Sequence, residues 1–417
     1  MITKPTVITA IAFVLSGFCS APSAIAAGGT AKAHGNDRWV GTWSAALVQP
    51  SPGPPTLTNT GFNNQTLRQI VRASVGGNRV RVRLSTFGAG RLVVGAAHIA
   101  LRSADAAIVP GSDRTLTFSN EPYVTLPAGA TLLSDPVDLE IPAQSDVAVS
   151  IFLPEATGPA TWHFSAFQTS YVSPPGDFTA SVVMPVDSPS QAWFWLAAVE
   201  VTASKQTGTI VAFGDSITDG AASTPNTNNR WPDHLARRLL AQPGNQNLGV
   251  LNQGLSGNKV SHDIIGPNAV ARFDRDVLTQ TGVTHVIVLE GNNDFLFVFA
   301  PGEEVHSNQV IEGLKQLIHR AHALGLTIYG GTLTPFGGFA LSTPEKEVKR
   351  QAVNRWIRSG GAFDAVIDFD AVLRDPGDPT RMRPEFDSGD HLHPNNAGYK
   401  AMADAIDLTL FKNAGNP

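Results

Sequence analysis

The stretch Thr209-Ile210-Val211-Ala212-Phe213-Gly214-Asp215-Ser216-Ile217-Thr218-Asp219-Gly220 carries an apolar run into a glycine and then presents a serine. The run Thr209 to Phe213 reads as a buried strand. Strands and helices alternate beyond it. Trp231 to Leu240 reads as a helix, Val250 to Gln253 as a strand, and Val283 to Leu289 as a continuous apolar strand. Val310, Ile311, Leu314, Leu317, Ile318 and Ala321 recur at helical spacing, and Gly325 stands where that helix should stop. Leu326 to Thr332 and Val366 to Phe369 read as further strands, and Ala397 to Phe411 as a closing helix. Such alternation predicts an α/β domain, a mostly parallel sheet with helices on both faces.

Upstream the pattern is different. Between Asn78 and Ser85, Val80, Val82 and Leu84 alternate with Arg79, Arg81 and Arg83, the signature of a half-buried strand. Short strands are also expected at Leu67 to Val75, Leu92 to Leu101, Thr131 to Ile141, Val147 to Leu153 and Trp193 to Val201. Clusters of Gly, Pro, Asn and Asp separate them, and no long amphipathic helix is legible. This predicts an antiparallel β-sandwich, jelly-roll-like, over 39–204. Lys205-Gln206-Thr207-Gly208 would link it to an α/β domain over 205–417.

Composition narrows the function classes. With 42% hydrophobic and 16% charged residues, the 417-residue chain can bury a sizeable core. A formal charge of −5 and the lack of basic runs argue against nucleic acid as a partner. Lys4, the apolar stretch Val7 to Phe18 and Ala24-Ile25-Ala26 fit a signal peptide over 1–26, followed by a flexible leader over 27–38. The expectation is a secreted or periplasmic protein cut after Ala26, with no membrane anchor, because a spanning helix needs roughly 20 apolar residues. The single cysteine, Cys19, lies within that segment, so after cleavage no disulfide or thiol nucleophile remains.

Ligands of open α/β sheets bind at the carboxyl ends of the strands, which directs attention to the loops there. Ser216 is placed to act as a nucleophile given a base, or alternatively to cap the following helix. Asn252-Gln253-Gly254-Leu255-Ser256-Gly257-Asn258 could expose the Gly257 N–H, and Glu290-Gly291-Asn292-Asn293-Asp294 could point an Asn amide into the same cleft. Near the C-terminus, Asp387-Ser388-Gly389-Asp390-His391-Leu392-His393-Pro394 sets a carboxylate three residues before a histidine. That spacing lets Asp390 hold Nδ1 of His393 while Nε2 faces a serine. His391 has Ser388 at that position instead, so the base is assigned to His393. Two other readings are a metal pair of His391 and His393 with Asp387 or Asp390, which is weaker because no further His-rich or acidic cluster supplies the remaining ligands, and surface turn residues with no role. The other histidines, His163 among them, show no partner in the sequence, and Trp193-Phe194-Trp195 reads as core in preference to a sugar platform.

Gly214-Asp215-Ser216, Gly257, Gly291-x-Asn293-Asp294 and Asp390-x-x-His393 resemble, in order, the signature blocks of the GDSL or SGNH hydrolases. The resemblance covers roughly 208–411. It implies a flavodoxin-like α/β/α fold and a serine esterase that needs no cofactor or metal. It also implies roles: Ser216 as nucleophile, His393 as general base, Asp390 as its orienting partner, and an oxyanion hole made of the Ser216 and Gly257 N–H groups and the Asn293 side chain. The expected partner is a small-molecule or polysaccharide ester, acetyl or short acyl esters of extracellular carbohydrate first, lipid or aryl esters or acyl transfer to a glycan as the rivals.

Overall fold

The computed structural model describes residues 38–50, 60–203, 207–243, 247–298, 302 and 304–411. The signal peptide expected over 1–26 and nearly all of the leader expected over 27–38 lie outside these residues, as does the 204–206 part of the junction between the two halves. Five strands, Gly208–Gly214, Leu248–Gly254, Val283–Leu289, Thr327–Gly331 and Ala365–Ile367, form one sheet in which every pairing is parallel. Numbered along the chain they lie in the order 2-1-3-4-5, the flavodoxin-like arrangement. Alternate residues of each strand serve opposite cores. Ile210, Ala212, Ile287 and Leu289 pack under the helices Trp231–Ala241 and Asn396–Asp404, while Val211, Phe213, Val286 and Val288 pack under Ser307–Ala323 and Pro344–Ser359. With both faces covered, a continuous apolar run is the stable solution, each fully buried side chain contributing about 1.5–3 kcal/mol.

Several elements depart from the sequence expectation. The helix Pro344–Ser359 was not legible because its buried face includes Arg350 and Asn354 beside Val353 and Ile357, which breaks the apolar period. Its start is ordinary: Thr343 accepts from the Lys346 N–H, and Pro344 occupies the first turn. The closing helix ends at Asp404 and is followed by a separate 3-10 turn, Leu408–Phe411. Arg238 reaches across to donate to the carbonyls of Ala403 and Ile406, satisfying groups that a continued helix would have used. Likewise the last strand stops at Ile367, since Asp368 accepts from the Ala371 N–H and caps a short helix.

The N-terminal half is antiparallel, as its alternation requires. One sheet pairs Arg38–Ser44, Leu196–Ala203, Gly77–Ser85 and Val137–Ile141. A second pairs Ser188–Ser190, Ser170–Pro175, Gln65–Arg72, Asp146–Leu153, Ala96–Ala104 and Ala107–Ile108. Val80, Val82 and Leu84 point into a common core, whereas Arg81 and Arg83 both reach the buried carboxylate of Glu200. The Trp193–Trp195 segment belongs to that core as well. Its residues are buried, and Trp195, with φ +55°, breaks the expected strand into Trp193–Phe194 and Leu196–Ala203.

The two halves share an extended seam. Strand Arg38–Ser44 lies along the edge strand Leu248–Gly254, where Gln253 Nε2 donates to Ser44 Oγ (2.7 Å), and flanking loops add Gly41 N–H to the Thr281 carbonyl (3.0 Å) and Val250 N–H to Ser74 Oγ (3.0 Å). A Cβ at Gly249 would stand 2.1 Å from the Gly41 carbonyl oxygen, so this approach requires glycine. The contact covers a strand edge that would otherwise be free to pair with another chain.

Candidate active site

The register of the sheet determines where the site forms. Gly214 pairs with Gly254 on one side and with Leu289 on the other, so three strands end level. Ser216, Ser256 and Gly291 each stand two residues past that line. In the 2-1-3-4-5 order the sense in which strands are added reverses between the first and third strands, and the crevice opens at this point.

Ser216 begins a single helical turn, Ser216–Asp219, closed by Gly220 in the left-handed region (φ +102°). Asp215 caps the turn by accepting from the Ile217 N–H (3.0 Å), so the capping role falls to Asp215 and the serine side chain is left free. The Ser216 hydroxyl lies 2.8 Å from Nε2 of His393, and Nδ1 of His393 lies 2.5 Å from Oδ2 of Asp390. The other oxygen of Asp390 accepts from the backbone N–H groups of Leu392 (2.9 Å) and His393 (2.8 Å). Partial burial alone would raise the Asp390 pKa, but the His393 ring and these two N–H groups hold it well below the usual carboxylate range. An ionised Asp390 can only accept, so Nδ1 carries the proton and Nε2 is free to accept from the serine. Between the two histidines Leu392 is buried with Leu296 and Phe336, which anchors the turn.

Gly257 adopts φ +79°. Among the described residues neither its N–H nor that of Ser216 has an intramolecular acceptor, although both adjoin the crevice. Asn293 is buried and donates one amide hydrogen to the Asn258 carbonyl (2.8 Å), which brings it to the Gly257 loop, and among the described residues its second hydrogen has no acceptor. Asp294 fastens the same two loops, accepting from the N–H groups of Val260 (2.8 Å) and Ser261 (3.1 Å) and from the Ser261 hydroxyl (2.7 Å).

Beneath the crevice lies a buried ionic cluster that no local pattern announces. Arg272 donates to the carbonyls of Gly214 (2.8 Å) and Gln253 (2.9 Å), to Asn258 Oδ1 (2.8 Å), and to Asp276 (3.1 Å) and Glu290 (3.4 Å). Burial pushes the Asp215 carboxyl up to about 6, against the Ile217 N–H and the His393 ring. Burial and the neighbouring Asp215 also push Glu290 well above the ordinary range, with Arg272 opposing. Three further side chains escaped the sequence reading. Asp219 and Ser256 lie within quoted loops, but their mutual contact depends on the fold, and His163 comes from the antiparallel half.

Residues 212–401 match the model of the GDSL-like Lipase/Acylhydrolase family, and this part of the chain is a hydrolase domain of that type. Solved structures similar to the chain include a GDSL-like lipase from Bacteroides thetaiotaomicron VPI-5482, at 18% identity, covering 49% of this chain and 88% of the other with a TM-score of 0.38. A carbohydrate acetylesterase family member from Sinorhizobium meliloti matches at 16% identity over 50% of this chain and all (100%) of its own, TM-score 0.40. A member of the lipolytic protein G-D-S-L family from Veillonella parvula DSM 2008 matches at 20% identity over 49% and 98%, TM-score 0.36. No curated protein matches the chain.

Proposed function

We propose that this chain, whose residues 212–401 form a GDSL-like lipase/acylhydrolase domain, is a secreted carboxylic-ester hydrolase working through a covalent acyl-enzyme on Ser216. The observation that carries this reading is the unbroken line from Ser216 Oγ to His393 Nε2 (2.8 Å) and from His393 Nδ1 to Asp390 (2.5 Å). Ser216 attacks the ester carbonyl as its proton passes to Nε2, and Asp390 stabilises the imidazolium that results. The carbonyl oxygen, now an anion, is met by the N–H groups of Ser216 and Gly257 and the free hydrogen of the Asn293 amide. Collapse expels the alcohol with the proton from His393. Water, activated by the same imidazole, then attacks the acyl-enzyme and regenerates the serine.

The substrates are placed among short acyl esters, acetyl esters of extracellular carbohydrate first. The leader sequence supports an extracellular target. Ile265, 38% exposed, offers a small apolar surface beside the proposed hole: a Cβ on Gly257 would come within 2.5 Å of its Cδ1. The test is hydrolysis of p-nitrophenyl acetate and butyrate and of acetylated xylan and pectin by the protein and by Ser216→Ala. Acetate release from polymer that vanishes with Ser216→Ala is the expected outcome. Activity surviving that substitution removes the mechanism, and cleavage confined to aryl or longer-chain esters moves the substrate class.

A further inference from the structure

His163 belongs to the antiparallel half, in the short strand Trp162–His163, yet its ring is buried against the hydrolase half. Nδ1 faces the Ala46 carbonyl at 2.9 Å, and Nε2 faces Asp219 Oδ1 at 2.9 Å. The second oxygen of Asp219 accepts from both the N–H (3.0 Å) and the hydroxyl (2.7 Å) of Ser256, the residue immediately before Gly257. Asp219 itself is the last residue of the turn that starts with Ser216. One side chain from the N-terminal half therefore leads, through one carboxylate, to both the nucleophile turn and the Gly257 loop.

The protonation of the ring follows from its partners. A carbonyl oxygen can only accept, so Nδ1 bears a proton. Asp219 Oδ1 is the partner left to Nε2, since Oδ2 is occupied by the two hydrogen bonds from Ser256. Burial by itself would push the His163 pKa down, but the Asp219 charge and hydrogen bond, with the Ala46 carbonyl, reverse this and raise it, despite Arg230 nearby. The result is a buried His–Asp pair at the seam, with the ring lying at 31° to Trp193 and 5.5 Å from it.

We infer that His163 is a positioning residue of the active site, the means by which the antiparallel half holds Ser256, and with it the Gly257 N–H, in place for the oxyanion. The inference rests on the proposed esterase reading, because it assigns a cause to the geometry of that hole. Removing the ring leaves Asp219 Oδ1 buried without its hydrogen-bond partner, and the side chain then rotates to find another. That rotation loosens the double hold on Ser256. An oxyanion donor displaced even slightly acts only where charge develops, so the defect appears in kcat and leaves ground-state binding nearly intact.

The experiment measures kcat and KM on p-nitrophenyl acetate for the full chain, for Ser216→Ala, for His163→Ala, His163→Gln and Asp219→Asn, and for His163→Ala combined with Asp219→Asn. His98→Gln, which breaks a His–Asp pair within the antiparallel half (2.8 Å), is the control for mere loss of packing there. The expected result is a kcat about tenfold lower or worse for His163→Ala with KM changed by no more than about twofold. His163→Gln, which keeps one N–H toward Asp219, recovers part of the loss. The double substitution is no worse than Asp219→Asn alone, because both act through one carboxylate. An unchanged kcat, additive losses, or an equal loss in His98→Gln overturns the inference. Nitrogen NMR of the His163 ring in the unsubstituted protein supplies a reading independent of folding and of turnover. A doubly protonated ring at pH 7.5 supports the inference, and a neutral one ends it. A Ser216→Ala variant that keeps its activity sinks the parent reading instead, so the two failures are told apart.

Discussion

Asp387 Oδ2 lies 2.6 Å from Nδ1 of His391, so the turn that carries Asp390 and His393 carries a second carboxylate–imidazole pair. The spacing is four residues in this pair and three in the other, which is why the sequence offered His391 no partner. Only His393 faces Ser216, while the His391 side chain is 45% exposed. His393→Ala is expected to lower kcat by about 10⁴-fold or more. His391→Ala should leave kcat within about threefold, since surface changes of this kind rarely matter. Steady-state kinetics on a soluble ester compares the two directly, and equal losses would mean that the base has been misassigned.

Asp390→Asn keeps the shape of the turn but offers the His393 ring an amide in place of an ionised carboxylate. The proton is then no longer held on Nδ1, and the imidazolium formed on attack loses its counter-charge. A fall in kcat of about 10⁴-fold is expected with little change in melting temperature.

Gly254→Ala tests the contact between the second strand and the nucleophile turn. A Cβ there would lie 2.1 Å from the Asp219 backbone nitrogen and 2.5 Å from its Cα, both backbone atoms of the turn that carries Ser216. No flexible side chain can yield, so the backbone must shift. A stability loss of about 2 kcal/mol or more is expected from such overpacking, together with reduced labelling of Ser216 by an organophosphonate.

Arg272→Met removes a wholly buried guanidinium on which the Gly214 and Gln253 carbonyls, Asn258, Asp276 and Glu290 converge. Breaking a buried ionic group by deleting one member costs about 3–5 kcal/mol, and denaturant titration should show a loss of that order. A loss below about 1 kcal/mol would mean that the carboxylates have taken up protons and need no cation.

His285 supplies a pH signature. Its ring is buried, stacked on Tyr329 and edge-on to Phe411, and burial pushes its pKa down to about 4 against the attraction of Asp364. In the unfolded chain the ring takes up its proton near 6.5, so between about 6.5 and 4 the unfolded state binds more protons than the native one. Stability therefore falls as pH drops through that window, by about 3 kcal/mol at its lower end. His285→Phe should flatten this part of the curve of melting temperature against pH, and an unchanged slope would clear His285 of the effect.

The parallel sheet was legible because Ile210 to Phe213 and Val286 to Leu289 are apolar throughout, and only a strand covered on both faces uses such a run well. Ser216, Asp390 and His393 were legible because a glycine turn after a strand and a three-residue Asp–His spacing are local. The helix Pro344–Ser359 was not, since it buries Arg350, whose buried partner Asp370 is supplied by the fold. Nor was the pairing of His163 with Asp219, which lie 56 residues apart in different halves. Periodicity in a sequence reports where apolar side chains are hidden from water. A buried polar group is tolerable only once its partner has been delivered, and delivery is a matter of how distant segments pack. The sequence by itself thus determined the sheet and the three residues in line on Ser216. The tertiary structure alone decided what lies behind them: the level strand ends, the loops fastened by Asp294, and the reach of the N-terminal half to the Gly257 loop.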